Sequence, residues 1–166
     1  TLVHQGHPAH LLLIGGRVGS SDPTNVAYAE RVDHLITRRG LAERIHRTGF
    51  VPADEVSAHL EAVDVCVLPY RDGVSLRHGS LHACLAHGSA IVTTSPAMET
   101  PEFRDGDTML LSPIGDLRAL AKGVAQIANN PDLRERLEKG ATSLAAEFTW
   151  DRVAARTASL YTELLQ

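Results

Sequence analysis

Residues 63–94 constrain the fold more than any other part of the chain. They run VDVCVLPY, RDGVSLRHGSLHACLAHG, SAIVTT: a short apolar segment, a polar glycine-bearing loop, an apolar segment of helical length and a second short apolar segment. Short apolar runs bounded by turn residues read as strands buried on both faces, the kind found in parallel sheets. A parallel pair needs a crossover, and residues 79–87, apolar on most sides, supply a buried helix. Its first backbone N–H groups and its dipole would lie beside the strand ends, where an anion such as a phosphate can be held.

The alternation continues on both sides. Residues 10–14 (HLLLI) read as a buried strand ended by the tight turn Gly15-Gly16. Residues 19–25 read as a polar loop. Val26, Ala29, Val32, Leu35 and Ile36 predict a helix over 26–39, closed by Gly40. A strand over 44–48 stops at Gly49, and a short helix over 54–62 has Asp54 as its N-cap. After the strands at 63–68 and 90–93, residues 99–103 make at most a turn of helix, and 108–112 (TMLLS) the last strand. Three helices follow: one behind Asp116 with the stripe Leu117, Leu120, Ala121, Val124, Ile127; one after Asn130-Pro131; and one capped by Thr149. The fold class expected is α/β: a Rossmann-like parallel sheet of about five strands with helices on both faces and a helical C-terminal tail. Ligands of such sheets bind at the carboxyl ends of the strands, here loops 15–25, 49–54, 69–79 and 94–102.

At 166 residues the chain is one domain or a large part of one. It begins at Thr1 and meets its first strand almost at once, so the expectation is a single domain over 1–166, truncated at its N-terminus. A hydrophobic fraction of 43% with 22% charged residues supports a sizeable core and opposes disorder. The net charge of −4 opposes bulk binding of nucleic acid but allows a local cationic site. Cys66 and Cys84 lie in apolar runs, as core thiols of a reducing compartment would, and a cytoplasmic location is expected. No apolar run approaches the roughly 20 residues that span a bilayer.

In the loop 70–80, Arg71, Arg77 and His78 bring cationic groups between Gly73 and Gly79, and Ser75 and Ser80 add hydroxyls. That is either an anion site at a helix start or a solvated, charged loop. Gly15-Gly16 is a tight turn or a ligand approach, and it lacks the G-x-G-x-x-G spacing of a nicotinamide site. Glu99 and Glu102 either bind hydroxyls or cap a short helix. His4, His7 and His10, and the pair His78 and His82, lack the converging ligands of a metal centre, so no metal is expected. Leu160, Tyr161 and Leu164 are expected to face this domain's own core rather than reach toward another.

The order LLLIGG, RRGLAERI, HRTGFVP, VDVCVLPY, GSLHACLAHGSAIVTT, METPEFRDGDTMLLSP, GDLRALAKGVAQIANNPDLRERL and FTWDRVAARTASLYTEL covers nearly the whole chain. It resembles the C-terminal, nucleotide-sugar-binding half of group 1 (family 4) glycosyltransferases of the GT-B fold. The resemblance implies transfer of a sugar, with retention at the anomeric carbon, from a nucleotide diphosphate donor to a hydroxyl on a glycan, lipid or small molecule. It implies no metal cofactor. The backbone at Gly49, Phe50 and Val51 would meet the nucleobase, with the Gly15-Gly16 turn beside it. Arg77, His78, Gly79, Ser80 and Leu81 would hold the diphosphate. Glu102 would line the cleft near the sugar.

The chain departs from the family where two glutamates are common. Those positions are Ser75 and Ala83. Asp72, just ahead of Ser75, could stand in for the first, so Ser75, Asp72 and Glu102 are the residues expected at the donor sugar. The family's Arg and Lys that neutralise the departing diphosphate, and its acceptor domain, would precede Thr1. The implied parent is a glycosyltransferase of hexosyltransferase type, compatible with peripheral membrane association, and the chain alone would be inactive. The rival is a non-catalytic nucleotide- or glycan-binding or interaction domain on the same fold. A GT-B epimerase or phosphorylase relative is a weaker third.

Overall fold

Five strands and six α-helices alternate in two parallel sheets in the computed structural model, which describes residues 2–16 and 23–165. Of the loops expected from sequence, residues 17–22 lie outside the described residues, as does the side chain of His4. The chain divides into two compact units, Thr1–Val63 and Asp64–Gln166.

In the first unit β1 (Leu11–Ile14) and β2 (Ile45–Gly49) pair in parallel, from Leu11 opposite Ile45 to Ile14 opposite Gly49, with an irregularity after Leu13. The crossover is α1 (Pro23–Arg38). Its end is set by Gly40, at φ +62°, with Gly40 N–H on the Thr37 carbonyl and Leu41 N–H on the Ile36 carbonyl. This paired closure requires the left-handed backbone that glycine adopts without strain. Helix α2 (Ala53–Ala62) corrects one expectation: the N-cap is Pro52, whose carbonyl accepts from Val56 N–H, and Asp54 lies inside the first turn. There its carboxylate favours the helix through the dipole instead of capping it.

In the second unit β3 (Cys66–Leu68), β4 (Ile91–Thr94) and β5 (Leu110–Ser112) form a parallel sheet with β4 in the middle. Strand β3 is shorter than the apolar run 63–68 because pairing starts only at Cys66 opposite Ile91. Asp64 stays at the surface, bonded to Arg134, which also holds Glu138. Every residue of β4 is buried, as a central parallel strand requires. Helix α4 (Leu117–Ala128) lies on the Val92 side, where Gly123 leaves so little room that a Cβ would come 2.9 Å from Val92. Ala90, Val92, Leu120, Ile127 and Leu137 are the core there, Leu137 coming from α5 (Pro131–Ala145). Ile91 and Thr93, fully buried and pointing the other way, need cover from the opposite face. Helix α3 (Gly79–Ala86), with Leu81 and Leu85 fully buried, contacts β3.

The predicted caps are present. Asp116 accepts from Arg118 and Ala119 N–H at 2.9 Å, and Asn130 from Leu133 N–H at 3.0 Å. Thr149 caps α6 (Trp150–Leu164), but this helix buries none of its residues: Leu160, Tyr161 and Leu164 are exposed, not core. Residues 99–103 form a turn closed by Phe103 N–H on the Thr100 carbonyl. Strand β5 begins two residues later than expected because Thr108 is occupied in holding that region, its hydroxyl accepting from Arg104 N–H at 2.9 Å.

Candidate functional site

The loop between β3 and α3 is fixed from below by β4. Thr93 donates its hydroxyl to the Leu68 carbonyl at 2.7 Å, and Thr94 donates to the Tyr70 carbonyl at 2.8 Å. Val74 N–H adds a bond to the Thr94 carbonyl at 3.2 Å. Both threonines are fully buried, so each hydroxyl must find a partner, and the loop carbonyls provide it. Gly73, at φ +82°, lies so close to the next loop that a Cβ would sit 2.6 Å from the Ser95 carbonyl oxygen and 2.8 Å from the Ala97 nitrogen. The loops that follow β3 and β4 are thus in backbone contact at the carboxyl end of the sheet.

On this base the loop folds on itself. The Tyr70 ring stacks on His78, with centroids 3.8 Å apart and planes 11° from parallel, and its hydroxyl lies 2.8 Å from Ser80 Oγ. Burial, the largest influence on it, raises the Tyr70 pKa, so the phenol keeps its proton. Ser75 N–H donates to His78 Nδ1 at 3.2 Å, which leaves the proton of a neutral His78 on Nε2. That nitrogen faces Asp72 at 3.9 Å. The Asp72 carboxylate also accepts from Arg77. Asp72's own backbone N–H, then the Arg77 bond, hold its pKa below that of an ordinary aspartate. The Arg77 side chain is 72% exposed, with Asp72 as its partner.

Helix α3 starts directly above this cluster. His78 is its N-cap residue by position, yet no side chain caps the helix. Gly79 has open space where a Cβ would be. Gly79 and Ser80 are exposed beside Arg77, the arrangement in which the first N–H groups of a helix hold an anion, whereas the Leu81 N–H already donates to the His78 carbonyl at 3.0 Å. His82, one turn on, is spent on structure: Nε2–H donates to the Leu76 carbonyl at 2.6 Å and the ring meets Phe148 edge-on. Among the described residues no three His, Cys, Asp or Glu side chains cluster as metal ligands.

The structure thus brings together Asp72, Ser75, Arg77, His78, Gly79 and Ser80, with Leu81 fully buried beneath them. Glu102 lies further along, half-buried, in the turn where Thr108 binds its carbonyl. The remaining positions belong to the first unit. Gly15, just past β1, bridges Gly49, the last residue of β2, and Gly15 N–H donates to Thr48 Oγ1 at 3.1 Å. Gly16 is exposed, Phe50 is 93% exposed and Val51 is half-buried. Sequence reasoning missed Tyr70, Thr93 and Thr94, and took Gly73 only as a boundary of the loop. The one local signal was a pair of hydroxyls closing an otherwise apolar strand. A cleft of about 500 Å³ elsewhere in the second unit is lined by Arg104, Asp107, Glu135 and Lys139, which pair among themselves.

Residues 1–130 match the family described as "Glycosyl transferases group 1". A D-inositol 3-phosphate glycosyltransferase of Streptomyces bingchenggensis is 28% identical over 150 residues, 90% of this chain and 32% of that protein. The chain spans about a third of the length of the relatives it matches. Sucrose-phosphate synthase of Thermosynechococcus elongatus superposes over 94% of this chain and 38% of its own, with a TM-score of 0.76 and 25% identity. Anabaena HepE, solved in complex with UDP, superposes over 93% and 41% with a TM-score of 0.80 and 17% identity.

Proposed function

The chain belongs to the glycosyl transferases of group 1, and from that premise we propose that it supplies the donor-binding half of a retaining enzyme of hexosyltransferase type. The observation that carries this is the uncapped start of α3 beside Arg77, on a loop held rigid by Thr93 and Thr94. The donor is a nucleotide diphosphate sugar. Its diphosphate takes the N–H groups of Gly79 and Ser80 and the guanidinium of Arg77, with His78 Nε2–H as a further donor, and calls for no metal ion; the Leu81 N–H is already spent on the His78 carbonyl at 3.0 Å. Asp72, Ser75 and Glu102 face the sugar. Residues 1–166 act as one donor-binding domain, and catalysis needs the acceptor-binding part of the parent, so the chain alone turns nothing over. The acceptor is a hydroxyl of a glycan, lipid or small molecule. The free, buried cysteines fit a parent that works in the cytoplasm.

The test is calorimetric titration of UDP, GDP and ADP into the chain, repeated with Arg77→Ala. One diphosphate should bind, and loss of an exposed, charge-assisted contact of about 1 kcal/mol should weaken it about five-fold. Absence of binding by any of the three, with the fold intact, would overturn the donor site. Binding unchanged by Arg77→Ala would move the phosphate elsewhere. The non-catalytic alternative is favoured by Ser75 and Ala83, which offer no carboxylate where the family commonly has two. A parent that binds the nucleotide sugar but never releases the diphosphate would decide for it.

A further inference from the structure

The first unit brings together two histidines that the sequence keeps 36 residues apart. His10 stands immediately before β1, and His46 is the second residue of β2, opposite Leu12. Side chains alternate along a strand, so His10 shares the face of Leu12 and with it that of His46. Arg44, immediately before β2, ties the two segments further by donating to the Ala9 carbonyl at 3.5 Å. His10 Nδ1 lies 3.0 Å from His46 Nε2, with ring centroids 5.3 Å apart and planes 15° from parallel. Both residues are exposed. Two facing imidazole nitrogens at this distance share one proton. A neutral ring can carry its proton on either nitrogen. When the donor ring moves that proton to its other nitrogen, both facing nitrogens offer lone pairs to the space between them. Imidazole binds a metal at about 2.0–2.1 Å, so two such bonds end about 2.9 Å apart at a right angle and about 3.3 Å apart at the tetrahedral angle. The observed 3.0 Å matches the right angle. That is the geometry of square-planar and tetragonal Cu²⁺ and Ni²⁺, not of tetrahedral zinc.

We propose that His10 and His46 form a two-histidine site for a late first-row divalent ion that takes its ligands at right angles, Cu²⁺ or Ni²⁺, with water in the remaining positions. The ion would clip β1 to β2. Among the described residues of this unit only Leu60 is buried, so a clip across the strands would add to a thin core. The site lies toward the amino ends of β1 and β2, while Gly15 and Gly49 mark their carboxyl ends, so it stands whether or not the chain binds a nucleotide sugar. Spacing along the chain points to His4 and His7 as companions of His10, whereas its partner comes from the neighbouring strand. Two protein ligands rather than three are consistent with the absence of any larger cluster among the described residues.

The test is to titrate nickel chloride into the chain by calorimetry and to repeat it with His10→Ala, with His46→Ala and with zinc chloride. Nickel is the probe because cupric ion would oxidise the two free thiols. One nickel ion should bind, and each substitution, which leaves one imidazole of two, should weaken binding about ten-fold or more. Zinc should bind more weakly than nickel. In NMR spectra of the wild type, paramagnetic nickel should broaden the ring signals of His10 and His46 before those of the other histidines. Both substitutions change exposed side chains, and circular dichroism checks that the fold is kept. Absence of nickel binding would overturn the proposal. So would binding unchanged in either folded variant, broadening that begins at other histidines, or a zinc affinity above that of nickel.

Discussion

Gly73→Ala tests how the candidate site is held, and Gly115→Ala is its internal control. The two glycines share almost the same left-handed backbone, φ +82° and +81°. An alanine forced into that region costs about 1–2 kcal/mol at either position. The surroundings differ. At Gly115 a Cβ meets nothing within 4 Å, whereas at Gly73 it falls 2.6 Å from the Ser95 carbonyl oxygen, 2.8 Å from the Ala97 nitrogen and 3.2 Å from the Pro96 carbonyl carbon. These are backbone atoms, so no rotamer change relieves the contact. One loop must move, at an overpacking cost of about 1–3 kcal/mol. Subtracting the shared strain, Gly73→Ala should be less stable than Gly115→Ala by about 1–3 kcal/mol, or roughly 2–12 °C in Tm at about 2–4 °C per kcal/mol. Parallel thermal melts of the wild type and both variants, followed by circular dichroism, measure this. Because the displaced loop carries Asp72 and Ser75, diphosphate affinity should fall in Gly73→Ala and stay at the wild-type value in Gly115→Ala. Melting temperatures for the two variants within about one degree of each other would refute the claim that the two loops lock through their backbones.

Thr94→Val keeps the shape of a fully buried side chain but leaves the Tyr70 carbonyl without its donor, so it should destabilise by about 1–3 kcal/mol in urea unfolding. The Asp72 carboxylate should titrate, in carbon-detected NMR, below an ordinary aspartate, and its midpoint should move up in Arg77→Ala. With a folded pKa below the unfolded one, the contribution of this contact is complete above the unfolded value and fades as pH falls through the folded value, so acid, not base, should loosen the loop. Asp116→Ala should cost about 1 kcal/mol by removing a cap, while Asp54→Ala, which removes only a charge near a helix start, should cost about half that or less in the same denaturant assay.

Local chemistry accounts for what was legible in the sequence. Gly40, Asp116, Asn130 and Thr149 act on N–H or C=O groups within a few residues, so their roles are written in the order of the chain, and the structure shows all four. Asp54 misled because an acidic residue at a helix start serves either as a cap or as a first-turn charge, and Pro52 ahead of it decides between them. The stripe on α6 misled for a related reason. Periodicity reports that a helix has an apolar face, not what meets it, and the exposed Leu160, Tyr161 and Leu164 show that no core of the described residues does. The contacts that build the site cross the sheet instead. Thr93 reaches Leu68, Thr94 reaches Tyr70, and Gly73 meets Ser95 to Ala97.

The charges of the site follow the same division. From sequence, Arg77 and His78 are positive or potentially positive groups of the loop and Asp72 is a stand-in carboxylate. In the fold all three face one another, Asp72 bonded to Arg77 and 3.9 Å from His78 Nε2. A carboxylate so placed is a poor base and a weak nucleophile, since its own backbone N–H and the Arg77 bond favour its ionised form. Its physical role is instead to hold Arg77 near the start of α3 while no anion is present. On the proposed function, an arriving diphosphate, carrying more charge than one carboxylate and able to use the helix N–H groups as well, would compete for that guanidinium on favourable terms. On the proposed function, the loop that lacks the family's glutamates thus keeps its cation in place with an aspartate of its own, and donor binding would release that aspartate toward the sugar.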